Sequence, residues 1–201
     1  MSVSRPYLRA EERRRQIVEV TLKLVSDHGV SGATLNRIAK RAGITTAALY
    51  GHFSNRREIL LLAMDEVFER VRELHRSAKN PNALERLREV GVGHTKMVSS
   101  AGGFATALFE FIAAPPKEGL REALGAKELV LVEDLAAIVR EGQAQGTIRK
   151  DADPYYVAWA LVSRAWTEDV SYIMGISDQW MGPRSDRMLR EILEGIRAPR
   201  R

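Results

Sequence analysis

Apolar residues recur along this chain at steps of three and four, and no stretch alternates with a step of two, so the pattern predicts helices throughout. Between Glu11 and His28 they fall at Ile17, Val20, Leu24 and Val25, and Gly29 offers a stop. A second, short helix is expected from Thr34 to about Arg41, with Leu35, Ile38, Ala39 and Ala42 inward and Gly43 after it. A third starts at Thr45, a residue able to cap its free N–H groups, and places Leu49 and Phe53 on one buried side. The fourth opens at Asn55, with Glu58 three positions on in a capping pattern, and continues through Leu60, Met64, Val67, Val71 and Leu74 until "KNPN". Beyond it, helices are expected at about 83–99, 103–113, 118–144, 154–174 and 185–197, with Pro154 in a first turn behind Asp153. The expected fold class is all-α, divided into a head at 1–57, with a motif at about 33–52, and a helical body at 58–201.

The head holds two short helices joined by "AGI", a helix-turn-helix pattern in which Gly43 suits the turn because it tolerates positive φ. With Leu49 and Phe53 committed to the core, Thr46, Ala47 and Ala48 are left at the rim or outside. Small side chains there let a helix sit deep in a major groove, where methyl groups meet thymine and hydroxyls meet base edges. Tyr50 and His52 flank this face with polar tips, and Arg56 stands in the first turn of the fourth helix, where the helix N-terminus attracts anions.

Charge sharpens that picture. Residues 1–57 carry 11 Lys/Arg against 4 Asp/Glu, while the remaining chain carries 20 against 22, out of a net charge of +5 for 201 residues. A basic first quarter on a mildly acidic protein suits a nucleic-acid or anionic partner. The absence of cysteine excludes disulfides, thiolate metal sites and cysteine nucleophiles. No leader pattern stands at the N-terminus and no apolar run approaches ~18 residues, so a cytoplasmic protein is expected.

"ATLNRIAKRAGITTAALYGHFSNRREIL" resembles the DNA-binding signature of the tetracycline-repressor (TetR) family of bacterial regulators. The matching positions are Thr34, Ile38-Ala39, Ala42-Gly43, Thr45, Leu49-Tyr50, His52-Phe53 and Arg56, within about residues 10–60. Ala47, Thr45 and Arg56 stand where glycine, serine and lysine are frequent in that family. The resemblance implies phosphate contacts from Thr34, Tyr50, His52 and Arg56, and groove contacts around Asn36, Thr46, Ala47 and Ala48, with Thr45 in the same surface. Arg37 fits either role, and Arg5 and Arg9 precede the first helix where a basic arm can reach a minor groove. The implied partner is double-stranded DNA carrying a palindromic operator, and the implied function is that of a repressor released by a small molecule.

For the body, the resemblance implies a ligand cavity between middle helices, with Phe104, Phe111 and Trp166 as lining candidates and a lipophilic or aromatic effector. Gly91 and Gly93, inside a helical run beside His94, call for a packing or ligand reason. Apolar stripes at Val157 and Leu161, and at Met188, Leu189, Ile192 and Ile196, are expected to form a homodimer through a four-helix bundle. The competing class is a helical ligand carrier or enzyme. Against an enzyme stand the lack of HExxH, of a glycine-rich phosphate loop and of paired metal-ligand spacing, so neither cofactor nor metal is expected. A membrane-surface helix is disfavoured because the first helix has an interrupted apolar stripe, suited to packing rather than to lipid.

Overall fold

The structure, a computed structural model, describes residues 10–100 and 103–199. Among these the helices are α1 (Ala10–Gly32), α2 (Leu35–Ala42), α3 (Thr46–Tyr50), α4 (Arg56–Ser77), α5 (Ala83–Ser100), α6 (Gly103–Ile112), α7 (Arg121–Gln145), α8 (Pro154–Ile173), α9 (Ser177–Trp180) and α10 (Pro183–Ile196). A single turn of 3-10 helix, Pro116–Glu118, precedes α7, and Ile148 and Arg197 form an isolated antiparallel bridge. The all-α expectation therefore holds, with two refinements. At Gly29 the backbone leaves helical geometry, but helical turns resume as far as Gly32. The four residues of α9 are too few to show a hydrophobic period. No described helix is long and apolar enough to cross a membrane, and Arg5 and Arg9 lie outside the described residues.

The chain forms two compact units. The first ends its N-terminal stretch at Val67 and takes in Ala107–Leu124; the second holds Phe68–Thr106 and the stretch from Gly125 onward. The boundary thus falls later than residue 57, and part of the expected body groups with the head. In unit 1, Ile17, Leu24, Val25, Ile38, Ala39, Leu49, Phe53, Ile59 and Leu60 are buried, and so are Leu108, Phe111 and Leu120 from the chain's middle. The mixed origin of this core follows from size. One long and two short helices bury little area by themselves, and each large side chain removed from water is worth roughly 1.5–3 kcal/mol.

In unit 2, α5, α8 and α10 pack on one another, and residues of α7 such as Val132, Leu135 and Val139 join the same core. Gly91 belongs to this contact: a Cβ there would stand 2.7 Å from both Leu189 methyl carbons, so a close helix approach explains the glycine. Gly93 is likewise fitted against Leu74. The packing also spends most of the expected dimer stripe. Val157, Leu161, Leu189 and Ile196 lie in the core of the single chain, and only Met188 and Ile192 stay partly exposed. The outward side of α8 instead carries Tyr156, Trp159, Trp166 and Ile173, between 38% and 76% exposed, at steps of three, seven and seven. Of the three lining candidates, Phe104 is buried in unit 2, Phe111 is buried in unit 1, and Trp166 is half exposed.

Unit 2 also contains buried charge. Glu168 accepts hydrogen bonds from Arg164 Nη2 (2.8 Å), Thr95 Oγ1 (2.6 Å) and Ser185, and pairs with His94 Nδ1 at 2.9 Å. Arg164 also donates to the carbonyls of Ser185 (3.1 Å) and Gly91 (3.2 Å). His94 thus has an acidic partner, one that lies 74 positions along the chain. Asp169, next to this network, has a buried Oδ1 with no hydrogen-bond donor, and burial pushes its carboxyl up to about 6.

Candidate nucleic-acid interface

Local chemistry fixes the two short helices. Thr34 caps α2 by accepting from the Arg37 N–H at 3.3 Å, and Thr45 caps α3 by accepting from the Ala48 N–H at 3.1 Å. Gly43 ends α2 in the left-handed region at φ 71°, and its N–H meets the carbonyls of Ala39 and Lys40. Ile38, Ala39, Ala42, Leu49 and Phe53 are buried behind these caps. What remains outside is the expected surface: Thr34, Asn36, Arg37, Thr45, Ala47, Ala48 and Tyr50 are exposed, while Thr46, His52 and Arg56 are half-buried. Thr46 Oγ1 donates to Asn36 Oδ1 at 3.1 Å, so a polar pair spans the two helices and orients both side chains before any ligand arrives. Tyr50 is 54% exposed, which no packing requirement explains for so large a ring.

These residues border an open groove of about 590 Å³ lined by Leu35, which was expected inward and is half-buried, and by eight polar residues: Ser31, Thr34, Asn36, Thr46, Tyr50 and Arg56, together with Lys117 and Glu118. The sequence singled out five of these eight. Ser31, Lys117 and Glu118 carry no periodic or motif signal, and the last two come from the turn before α7.

Arg56 stands in the first turn of α4 as expected, but its guanidinium is turned into the protein. Nε donates to the Ala33 carbonyl at 2.9 Å, Nη2 to the Val30 carbonyl, and Nη1 to Glu118. The physical reason is that carbonyls at the end of α1 have no continuing helix to supply donors. Arg56 is thereby an internal clamp, and the charge expected to face a phosphate is largely engaged. Arg14, which the sequence did not mark, plays a similar part. Its guanidinium donates to the His52 carbonyl, pairs with Glu58 at 3.1 Å and lies over the Phe53 ring, 4.3 Å from its centre. The Ser54 N–H and Arg14 together hold the Glu58 carboxyl below the usual carboxylate range. Asn55 Oδ1 accepts from the Glu58 N–H at 2.9 Å, which starts α4 as its sequence implied.

An exposed ridge of small and hydroxyl side chains, with an aromatic hydroxyl on its flank, has the chemistry of a duplex-reading surface. The family of bacterial regulatory proteins named tetR matches residues 17–63, the span that contains this ridge. The HTH-type transcriptional regulator PksA of Bacillus subtilis is 43% identical over 61 residues, 30% of this chain and 30% of its own length. The chain spans less than half the length of the first curated relatives it matches. Among solved structures, a TetR-family transcriptional regulator of Cytophaga hutchinsonii superposes with a TM-score of 0.78 at 18% identity, covering 98% of this chain and 100% of that one. The regulator FadR of Bacillus subtilis, solved with stearoyl-CoA, superposes with a TM-score of 0.72 at 20% identity, covering 90% and 95%. At these identities the structural likeness speaks for the fold, while the sequence match speaks for the helix-turn-helix. Residues 17–63 thus match the tetR family of bacterial regulatory proteins, and the chain as a whole shares its fold with these solved structures.

Proposed function

We propose that this chain is a sequence-specific DNA-binding regulator of transcription, a repressor released from a palindromic operator by a small molecule. The observation that carries this reading is the ridge of Thr46, Ala47 and Ala48, held outward by buried Leu49 and Phe53 and flanked by exposed Tyr50 and Thr34. Asn36 and Thr46 supply base-edge hydrogen bonds, Ala47 and Ala48 supply methyl contacts, and Thr34, Arg37, Tyr50 and His52 supply backbone contacts. The active form is a homodimer, whose two heads read half-sites about one helical turn, roughly 34–36 Å, apart.

A second copy fits the outward face of α8. Tyr156, Trp159, Trp166 and Ile173 form an apolar, largely aromatic stripe at helical spacing, and Tyr156 also lines a groove with Ala160, Met188 and Ile192. The effector is lipophilic. Phe104, buried in unit 2, is the lining candidate for it, and FadR, a neighbour in fold, was solved with a long acyl chain on coenzyme A. The experiment is fluorescence anisotropy with duplex DNA from upstream of the protein's own gene, compared with a scrambled duplex. Preference for the upstream duplex, lost on addition of a ligand found by thermal-shift screening, supports the reading. Equal affinity for both duplexes refutes sequence-specific regulation.

A further inference from the structure

The groove beside α2 is not made by the N-terminal helices alone. Lys117, contributed by the Pro116–Glu118 turn, shares its lining with Thr34, Asn36, Thr46 and Tyr50. Its side chain is exposed, and Glu118, its neighbour in sequence, is turned toward Arg56. The turn that carries Lys117 is built firmly. The N–H groups of Glu118 and Gly119 donate to the carbonyls of Pro115 (2.9 Å) and Pro116 (3.0 Å). The Gly119 carbonyl accepts twice from Arg57, at 3.2 and 2.7 Å, while Glu118 binds Arg56. Two consecutive arginines at the start of α4 therefore fasten the turn at Glu118 and Gly119, within one compact unit. A lysine on a loose loop pays to be ordered when it binds an anion; one on a fastened turn has its backbone already placed.

We propose that Lys117 is a phosphate contact of the DNA interface, so that the middle of the chain joins the N-terminal helices in gripping the duplex. The proposal rests on the DNA-binding reading and adds to it a residue outside the helix-turn-helix. Charge supports the placement. Glu118 is neutralised by Arg56, so Lys117 is left as the net positive charge that the turn brings to a groove whose remaining lining is hydroxyls, an amide, a phenol, Leu35 and the engaged Arg56.

The test is a salt titration of the full chain on duplex DNA of arbitrary sequence, with wild type, Lys117→Ala, Lys117→Arg and Tyr50→Ala run in parallel. For Lys117→Ala, the affinity lost between roughly 50 and 200 mM salt should shrink about 3.5-fold for each bound protomer, the signature of one phosphate contact fewer. Lys117→Arg should restore the wild-type slope, and both Lys117 variants should keep the wild-type melting temperature because the side chain is exposed. If Lys117→Ala matches wild type in slope and affinity while Tyr50→Ala weakens binding, Lys117 is a solvated lysine and the proposal is overturned. A wild-type chain with no affinity for duplex DNA overturns the DNA reading itself, and this contact with it.

Discussion

In unit 1 small and polar side chains on and around α2 and α3 face outward, with Thr45, Ala47, Ala48 and Tyr50 exposed over a core containing Leu49 and Phe53. In unit 2 the polar groups run the other way: Arg164, Glu168, Asp169 and Ser185 are at most 1% exposed, and His94 is 7% exposed. Both units are helical, so the difference lies in what the polarity is for. Outward hydroxyls and methyls stay available to a partner and cost the fold little. An inward ion network costs several kcal/mol per ion in desolvation and is stable only when each group finds its donors and acceptors. Four partners on Glu168, drawn from α5, α8 and α10, meet that condition and fix how these three helices align.

The largest effect is expected of Glu168→Ala, which leaves Arg164 buried without its carboxylate. Urea unfolding should show a loss of about 3–5 kcal/mol, and stability equal to wild type would mean that the network does not hold unit 2 together. Arg56→Ala comes next. As an internal clamp, Arg56 should cost about 2–3 kcal/mol of stability when removed, seen as a lower melting temperature. A variant that melts like wild type but has a shallower salt dependence would return Arg56 to the phosphate surface. Thr46→Ala should do the opposite, leaving stability within about 0.5 kcal/mol while changing the preference among operator variants by roughly 1–3 kcal/mol at one base pair. That change is read by competition between duplexes.

The smallest effect is one of pH. Asp169 is pushed from 3.8 up to about 6 by burial, so its contribution to stability falls as pH rises through that window. His75 is lowered from 6.5 to about 4, also by burial, so its contribution rises with pH over nearly the same range. The two oppose each other. Asp169→Asn should therefore gain stability relative to wild type as pH goes from 4 to 6, by on the order of 1 kcal/mol. A constant difference across that range would show that Asp169 is not held in the neutral form.

The same asymmetry decides what the sequence could reveal. Outward residues on a helix-turn-helix follow from local rules: caps at Thr34 and Thr45, a left-handed Gly43, and a buried pair at Leu49 and Phe53 leave one face open. The inward network follows from none of them. Only the four-residue step from Arg164 to Glu168 is visible along the chain, and His94 and Ser185 arrive from other helices. Arg56 was legible as a first-turn arginine, but the carbonyls of Val30 and Ala33 that claim it were not. The stripe through Val157 and Leu161 is apolar in the sequence, but periodicity cannot tell a face covered by the same chain from one left for a partner. Burial places Val157 and Leu161 inside and Tyr156 and Trp159 outside.

If the ridge of α3 reads duplex DNA, a negative charge placed on it must abolish that reading. Ala48→Glu changes an exposed residue, so the variant should melt like wild type. Wild type should prefer the duplex from upstream of its own gene over a scrambled duplex by about a thousandfold or more at physiological salt, and Ala48→Glu should lose that preference. A folded Ala48→Glu chain that keeps the wild-type preference would contradict the account.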